Sequence, residues 1–398
     1  MLKTELIQKG FLVHVTFILP LYYEVIESCL IVGGGIVGTM HSYYALKSGM
    51  RVIHCEADLT PSRASVRNFG LIWVSGRKPG SELSLALRAR ELWGNIGIVV
   101  PGTGFRAHGS LTLALNEAEL RVMERASHMP DAAQREFQLL SADEVANLEP
   151  TLSSNIVGAL LCKQDAIVEP DKVLGAIREF MLQNPNYLWR PNLDVKDFST
   201  QGDNCILETG DGTAIHGSHL VIAPGAAHTG VFAQFFQNEP LRRVRLQMAE
   251  TSALNGTLTH SIADCDSLRY YPAFAECGVD NLPPQHPVAQ AFNMQLLLAQ
   301  RDNGGLTIGD THEYQEPVEG EIRSEPYEYL QQVLSRIFPQ GLTIRRTWDG
   351  IYSQVTDSSL YFRKTIQENI HLISGLGGRG NTLAPAVAEE TMKSWGKL

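Results

Sequence analysis

The chain has 398 residues, 44% of them hydrophobic, and a formal net charge of −10. Its length suggests about two domains, and no stretch is rich enough in lysine and arginine to indicate a nucleic-acid partner. The six cysteines are scattered and form no C-x-x-C pair, which argues against a zinc site and a disulfide framework. This pattern fits a reducing compartment, so we expect a cytoplasmic protein without a bound metal.

The N-terminal segment is unusual. Residues 11–23 (FLVHVTFILPLYY) are apolar and follow Lys3 and Lys9, as in a signal peptide, but they lack a small-residue cleavage site. The stretch is too short to span a bilayer, so we predict no membrane span. Export, an additional packed element and an upstream start codon all stay open, and residues 1–26 are treated as an extension of unknown role.

The first strong motif follows directly. Residues 28–32 predict a strand, residues 33–38 read GGGIVG, a helix extends to a closing Gly49, and residues 51–56 predict a second strand that ends in Glu56. In such a G-x-G-x-x-G motif, Gly33 makes the tight turn, Gly35 lets the backbone approach a pyrophosphate, and Gly38 lets the helix pack on the strand. Glu56 is placed to accept hydrogen bonds from a ribose. The motif predicts dinucleotide binding, against the alternative of a glycine-rich turn without function.

After the second strand the chain does not continue as alternating strands and helices. It breaks into a loop, followed by residues 64–73 (ASVRNFGLIW). Here the sequence resembles the D-amino-acid oxidase/glycine oxidase superfamily of FAD enzymes. The resemblance implies that Ala64 and Ser65 meet the FAD pyrophosphate, and that Asn68, Phe69 and Gly70 lead the chain to the isoalloxazine.

Further elements follow in chain order. Helices are predicted over residues 81–96, from Pro170 onward and over 324–338, and two capping boxes begin at Asn116 and Ser141. Strands are predicted over 104–115 and 219–225, with hairpins over 205–215 and 295–308. Near the C-terminus, a strand over 369–374 precedes GLGGRGNT and a helix that begins near Leu383. The start of that helix is a candidate site for negative charge on a reduced flavin, against the alternative of a simple packing turn.

The resemblance implies an α/β (α+β) two-domain fold: a glutathione-reductase-like Rossmann FAD-binding domain with an inserted antiparallel-sheet substrate domain. We expect the FAD-binding domain over 27–100, 150–238 and 341–398, and the substrate-binding domain over 101–149 and 239–340. Non-covalent FAD is expected because Cys277 is the last cysteine, ahead of the C-terminal strands. The residues expected to contact FAD are Gly33, Gly35, Ile36, Val37, Gly38, Glu56, Ala57, Ser62, Ala64, Ser65, Asn68, Phe69, Gly70, Val195, Ala223, Pro224, Gly225, Gly350, Gly377, Gly378, Arg379, Gly380, Asn381 and Thr382.

A closer resemblance rests on six segments. They are SVRNFGLIW (65–73), LQMAET (246–251), LRYYPAF (268–274), LTIGDTHEY (306–314), WDGIYS (348–353) and TLAPAVAEET (382–391). Together they resemble a subfamily of FAD-dependent oxidoreductases that accompanies 2-aminoethylphosphonate breakdown genes in bacteria. This resemblance implies oxidation of a small anionic secondary amine of the N-alkyl aminophosphonate type.

The substrate end departs from the superfamily pattern. Amino-acid oxidases of this type often carry an arginine just after W-x-G, where this chain has Tyr352, and Arg379 stands one residue late in the glycine loop. A phosphonate needs several charged donors, and those available are Arg67, Arg77, Lys78, Arg269, His312 and Arg379. Each is equally open to reading as a structural or surface charge. The residues predicted to act on substrate are His312, Tyr270, Arg269, Tyr352 and Arg379.

Three hypotheses follow. The first is hydride transfer from the carbon α to nitrogen to flavin N5, then imine hydrolysis, with electrons passing to oxygen or another acceptor. The second is the same chemistry on glycine, a D-amino acid or sarcosine. The third is a flavin-binding protein without turnover. The sequence leaves the oligomeric state open.

Overall fold

The computed structural model describes residues 27–315 and 320–398. The predicted N-terminal extension, 1–26, lies outside the described residues. In the described part no helix is long and apolar enough to cross a membrane.

The strands are short and distributed along the whole described chain. In order they are β1 (Ser28–Val32), β2 (Arg51–Cys55), β3 (Leu71–Ile72), β4 (Ser110–Ala114), β5 (Phe137–Ser141), β6 (Gly158–Cys162), β7 (Ala166–Ile167), β8 (Tyr187–Arg190), β9 (Val195–Gln201), β10 (Asn204–Thr209), β11 (Ala214–Gly217), β12 (His219–Ile222), β13 (Leu241–Thr251), β14 (Ser261–Asp264), β15 (Leu297–Gln300), β16 (Leu306–Gly309), β17 (Ile344–Val355), β18 (Phe362–Gln367) and β19 (Ile370–Ser374).

The α-helices alternate with them mainly in the first third and at the end of the chain. They are α1 (Ile36–Lys47), α2 (Ser81–Val99), α3 (Glu117–Ser127), α4 (Ala132–Arg135), α5 (Ala142–Leu148), α6 (Val173–Leu182), α7 (Pro287–Ala291), α8 (Glu325–Ile337) and α9 (Gly380–Ser394).

One sheet has six strands in the order β18-β19-β12-β1-β2-β8. All its pairs are parallel except β18 with β19. The three middle residues of the central β1 (SCLIV) are buried because helices and a second layer cover both faces, as parallel sheets require. Helices α1, α2 and α9 share one apolar core on this sheet, which confirms the Rossmann-type half of the predicted fold.

The other large sheet has eight strands in the order β17-β13-β16-β15-β14-β4-β6-β5. It is antiparallel except for β14 with β4, which run parallel, so the predicted antiparallel sheet is mixed at one place. The strand pairing disagrees with the predicted domain assignment of two strands. β6, assigned to the FAD-binding segment 150–238, lies between β4 and β5, and β17, assigned to 341–398, pairs along its length with β13. Strand partners distant in sequence decide both cases, and local pattern carries no information on them.

Most local predictions are confirmed. The hairpins β10–β11 and β15–β16 form as expected, and Ser141 and Glu144 make a full capping box. The last helix begins at Gly380 and not near Leu383, because a short 3-10 turn over Gly377–Arg379 leads directly into it. The LIW stretch contributes only the two-residue strand β3, which pairs with β7.

Candidate active site

A cavity of about 1060 Å³ lies at the carboxyl ends of the parallel strands. The residues that follow β1, β2, β12 and β19 all line it, namely Gly33, Glu56, Ala223 and Gly375. This is where open α/β sheets bind ligands, because loops diverge there and leave a crevice. The cavity continues to the eight-stranded sheet, where β13 and β17 contribute Met248 and Tyr352.

The glycines of the first loop are required by close packing. Gly33 has φ +108°, and a Cβ there would lie 2.3 Å from the carbonyl oxygen of Ala223. A Cβ on Gly38 would lie 1.9 Å from the carbonyl oxygen of Gly33. The loop therefore folds tightly against β12, and α1 starts directly above β1.

Two side chains hold this loop in place. The Glu56 carboxylate accepts hydrogen bonds from the backbone N–H of Gly34 at 2.6 Å and of Asp58 at 3.0 Å. The Ser65 hydroxyl oxygen accepts one from the N–H of Ile36 at 3.0 Å. The first turn of α1 has no intrahelical acceptor for its N–H groups, so it presents donors and a positive dipole end to the cavity. That is the cradle a pyrophosphate needs.

Residues 64–70 form a compact bridge along the cavity wall. They begin with a 3-10 turn over Ala64–Val66, and the Asn68 side chain donates to the Ala64 carbonyl at 2.9 Å. The Asn68 side-chain oxygen accepts from the N–H of Gly70 at 2.7 Å and from the Asn381 amide at 2.8 Å. Asn68 thus ties this run to the start of α9, on the opposite side of the cavity.

Arg77 and Arg379 meet at one carboxylate. The Nη1 atoms of both lie 3.5 Å from Glu82 Oε1. All three residues line the cavity, and their side chains are mostly buried. Burial lowers the pKa of Arg379, and the neighbouring Arg77 charge acts in the same direction. Two guanidinium groups therefore share one carboxylate and leave excess positive charge in the wall.

A buried network fixes the loop that carries Arg77. The guanidinium of Arg135, which is fully buried, donates to the carbonyl oxygens of Val74 at 2.9 Å, Ser75 at 2.7 Å and Arg77 at 2.6 Å. The Asp165 carboxylate accepts from the N–H of Ser75 at 2.9 Å. The backbone on both sides of Gly76 is therefore held rigidly, and Arg77 is positioned by groups outside the cavity.

Tyr270, His312 and Tyr352 meet where the cavity reaches the eight-stranded sheet. The Tyr270 and His312 rings have centroids 4.4 Å apart. Burial lowers the pKa of His312 to about 4, so the imidazole is neutral at pH 7. Its Nδ1 lies 3.1 Å from the Asn293 carbonyl oxygen and must donate to it, which leaves Nε2 as an acceptor. Burial also raises the pKa of Tyr270 and of Tyr352, which stay protonated.

Two arginines considered for the substrate have structural partners. Arg269 lines the cavity, but its nitrogens donate to Asp266 at 2.7 Å and to the carbonyl oxygens of Val279 at 3.0 Å and Pro283 at 2.6 Å. Arg67 is about half exposed and donates to the Asp349 carbonyl at 3.1 Å. Both are accounted for by contacts within the chain, so the role predicted for Arg269 on substrate is not supported by its geometry.

The predicted FAD-contacting residues converge on this cavity. All of them line it except Gly38, Gly70, Gly350 and Thr382. Gly38 and Gly70 face backbone carbonyls that a Cβ would strike, and Gly350 packs against the Arg67 backbone. The Thr382 hydroxyl accepts from the N–H of Trp73 at 2.9 Å. These four residues lie next to the cavity. The three glycines allow close packing there, and Thr382 connects α9 to Trp73.

Sequence reasoning missed several cavity residues. They include Trp73, Glu82, Arg242, Tyr271, Gln295, Asp310 and Tyr314. Glu82 was hidden in the first turn of a helix, where an acid is ordinary. Asp310 carried a signal that was not used, since it directly follows the apolar strand β16 and precedes His312.

No group of metal-ligating side chains occurs in residues 27–315 and 320–398. All six cysteines are buried and unpaired. Only Cys55 lines the cavity, at the end of β2, and burial raises its thiol pKa to about 12. It lies at the nucleotide loop, and non-covalent cofactor binding stays a prediction.

Fold and cavity together define a dinucleotide-dependent oxidoreductase with a separate sheet over the reactive end. The family model described as "DAO: FAD dependent oxidoreductase" matches residues 28–393. The chain therefore belongs to this family and is an FAD-dependent oxidoreductase.

Similar proteins agree with this assignment. The chain is 24% identical over 376 residues to glycine oxidase of Bacillus licheniformis, with 90% of each chain covered. It is 24% identical over 353 residues to one of the subunits of opine oxidase from Agrobacterium tumefaciens (strain Ach5), with 84% of each covered. The solved glycine oxidase of Bacillus cereus ATCC 14579 is similar in fold, with a TM-score of 0.76 at 18% identity over 94% of this chain and 96% of that one. The two-domain fold predicted from the sequence is thereby confirmed.

FAD fits the residues present. A Cβ on Gly35 would lie 3.0 Å from the Ser65 hydroxyl oxygen, so a side chain would fill the place where a pyrophosphate approaches the backbone. The donors at the start of α1, the Glu56 carboxylate and the bridge over residues 64–70 follow one another along the same wall. The lining of this wall includes Val195 from the FAD-binding half and Tyr352 from the eight-stranded sheet, in one cavity of about 1060 Å³.

Proposed function

We propose that the protein oxidises a small amine that carries an anionic group. The carbon α to nitrogen gives up a hydride, and the resulting imine is hydrolysed to a carbonyl compound and the released amine. Bound FAD supplies the hydride acceptor, and oxygen or another acceptor then takes the electrons.

The observation that carries this proposal is the arginine pair on Glu82. Arg77 and Arg379 together bear one more charge than the single carboxylate between them neutralises. A buried cavity wall with excess positive charge favours an anionic ligand, and two guanidinium groups are suited to a carboxylate or phosphonate. The pair therefore supports recognition of the anionic end of the substrate.

The finer proposal is a secondary amine of the N-alkyl aminophosphonate type. It is supported by the six segments described above and by the presence of two arginines, because a doubly charged phosphonate needs more than one charged donor. The absence of an arginine just after W-x-G also agrees with it. Tyr352 takes that position and lies at the cavity wall.

A second candidate is oxidation of glycine, a D-amino acid or sarcosine. It is favoured by the curated glycine oxidases, which match at 24% and 23% identity. The same arginine pair would serve a carboxylate, so the two candidates differ in the anion that the pair binds. The remaining alternative, a flavin-binding protein without turnover, predicts that no amine reduces the bound flavin.

The chain contributes orientation, exclusion of water and electrostatics. Arg77 and Arg379 hold the anion, while the rings of Tyr270 and Tyr271 form an apolar wall beside it. The 3-10 turn Gly377–Arg379 leads into α9, and the start of this helix places a positive dipole end at the cavity wall. His312, whose pKa is lowered to about 4, is a poor proton acceptor at pH 7, so we assign it a packing role against Tyr270.

A panel of amines separates these candidates. The purified holoenzyme is incubated with N-methyl-2-aminoethylphosphonate, glycine, D-alanine and sarcosine, and peroxide release is measured for each. Preference for the phosphonate supports the finer proposal. Activity on simple amino acids alone would replace it with the second candidate. This assay on purified protein does not test where the protein is located, so the cytoplasmic location stays a prediction.

A further inference from the structure

Asp310 is a buried carboxylate on the wall of the substrate end of the cavity. It directly follows β16, and the residue is 7% exposed. Its backbone carbonyl accepts from the N–H of Gln295 at 2.9 Å, which fixes the strand end. Its side chain lines the same cavity as Arg77 and Arg379.

This carboxylate lacks a cationic partner. Within residues 27–315 and 320–398, Asp310 Oδ1 is buried and has no hydrogen-bond partner. The charged or titratable groups that face it are the hydroxyls of Tyr270, Tyr271, Tyr314 and Tyr352, and none of them is a cation. A buried carboxylate without a cationic partner is unfavourable, so without a ligand the group takes up a proton. An ammonium group on a ligand would supply the missing cation and favour the ionised carboxylate.

We propose that Asp310 binds the amine nitrogen of the substrate as an ammonium ion and accepts its proton before hydride transfer. This inference rests on the proposed function and adds the group that recognises the amine. The proton passes from nitrogen to a carboxylate oxygen, so that nitrogen keeps its lone pair and the carbon releases its hydride. No co-reactant is needed for this transfer.

The two ends of the cavity wall have opposite charge character. Tyr271 lies within electrostatic range of both Arg77 and Asp310, and Tyr270 within range of both Arg379 and Asp310. The two tyrosines therefore lie near both the arginine pair and Asp310. A short zwitterion with its anion on the arginines and its nitrogen on Asp310 would lie beside these tyrosines.

Burial raises the pKa of Asp310 to about 8, close to the range in which a carboxyl group and an amine exchange a proton readily. His312 is only two positions away, but it has the opposite property, because burial lowers its pKa to about 4. Before a ligand binds, the Asp310 carboxyl group is therefore mostly protonated at pH 7, and the positive charge of a bound ammonium ion favours its ionised form. The resulting carboxylate is a stronger base than the neutral imidazole of His312. Proton acceptance is therefore assigned to the aspartate, whose unpartnered oxygen is independent support.

The test compares two ligands that differ in the amine alone. N-methyl-2-aminoethylphosphonate has both charges, and butylphosphonate has only the anion. In wild-type holoenzyme the apparent Kd of the amine is measured by anaerobic flavin reduction, and the inhibition constant of butylphosphonate is measured by competition. We expect the amine to bind more tightly than butylphosphonate. In Asp310→Asn the apparent Kd of the amine should rise roughly 10- to 100-fold, as for loss of a charge-assisted hydrogen bond. The inhibition constant of butylphosphonate should change by less than about threefold, the scale of ordinary context effects.

The exposed Asp171→Asn is the matched control and should leave both constants unchanged. An unchanged amine Kd in Asp310→Asn, or an equal loss for both ligands, would overturn the assignment. If the variant does not retain FAD, the wild-type comparison still decides, because equal affinity for the two ligands contradicts an amine-binding carboxylate. If sarcosine is the substrate, the pair becomes sarcosine and butyrate. Failure of the proposed function itself looks different, since then no amine reduces the wild-type flavin.

Discussion

The guanidinium of Arg379 lies 3.5 Å from the carboxylate of Glu82, which joins the start of α9 to the start of α2 across the cavity. These two positions are almost 300 residues apart in the sequence. The contact leaves Glu82 shared with Arg77, so neither arginine is fully neutralised. The positive character of the substrate end comes from this incomplete pairing.

Replacing Arg379 with methionine should weaken binding of the anionic substrate. Loss of one charged donor should raise the KM for the anionic amine roughly 10- to 100-fold. FAD should be retained, since the loop over Gly377–Arg379 keeps its backbone. Steady-state kinetics on the anionic amine and on an amine without an anionic group measure the effect. Lys78→Ala removes a neighbouring but exposed charge outside the cavity and should have little effect. A KM that rises equally for both amines would argue against recognition of the anion.

Ser65→Ala should weaken FAD binding. Its hydroxyl oxygen accepts from the Ile36 N–H at 3.0 Å, and its loss leaves the loop at the start of α1 less well held. The dissociation constant of FAD should rise about tenfold or less, as for one hydrogen bond. Flavin fluorescence on titration of apoprotein with FAD measures it. Ser62→Ala is the comparison, because the Ser62 hydroxyl is exposed and already donates to Asp58 at 3.3 Å. A larger effect at Ser62 than at Ser65 would contradict the arrangement described.

Gly38→Ala should destabilise the fold strongly. Its Cβ would lie 1.9 Å from the Gly33 carbonyl oxygen, so α1 must move off β1. We expect a loss of about 3 kcal/mol or more in the free energy of unfolding, measured by denaturant titration. Gly175→Ala is the control, because nothing lies within 4 Å of the added atom in the first turn of α6. That change should be neutral or stabilise the protein by up to about 0.5–1 kcal/mol. Equal tolerance of both changes would contradict the close approach of helix and strand.

The stability of Asp310→Asn relative to wild type should depend on pH. Burial raises the Asp310 pKa to about 8 in the folded protein, against about 3.9 in the unfolded chain. Between these values the folded state keeps a proton that the unfolded state has lost, so wild-type stability falls as pH rises. The melting temperature of Asp310→Asn minus that of wild type should therefore increase from about pH 4 to pH 8 and stay constant above pH 8. The slope is at most about 1.4 kcal/mol per pH unit.

This measurement uses the protein without added substrate, in buffers of matched ionic strength. Asp171→Asn should show no such trend, because the side chain is exposed. A difference between Asp310→Asn and wild type that is constant over this pH range would show that the carboxyl group is not perturbed.

The nucleotide end of the cavity was accessible to sequence reasoning because its signals are local. The loop over residues 33–38, the acid at Glu56 and the run around Asn68 are each short, and backbone requirements fix their residue types. The same holds for the hairpins and for the capping box at Ser141, where turn and cap chemistry act within a few residues.

The substrate end was less accessible because it is assembled from distant segments. Glu82 joins Arg77 and Arg379 only in the folded chain, and Arg269, which stands beside two tyrosines in the sequence, donates to carbonyls of its own loop. The assignment of β17 to the eight-stranded sheet likewise depends on β13, about 100 residues earlier, and that of β6 on β4 and β5 across the predicted boundary at residue 150. Burial raises the pKa of Asp310 and lowers that of His312, and a single sequence does not reveal which side chains are buried.

The most direct test of the central claim is anaerobic titration of the wild-type holoenzyme with anionic amines while flavin absorbance is followed. The titration uses N-methyl-2-aminoethylphosphonate first, then sarcosine, glycine and D-alanine. We expect the flavin to be bleached by at least one of them, with the phosphonate effective at the lowest concentration, and colour to return on admission of oxygen. Retention of the oxidised flavin spectrum with every anionic amine would contradict oxidation of this substrate class, although the protein would still bind FAD.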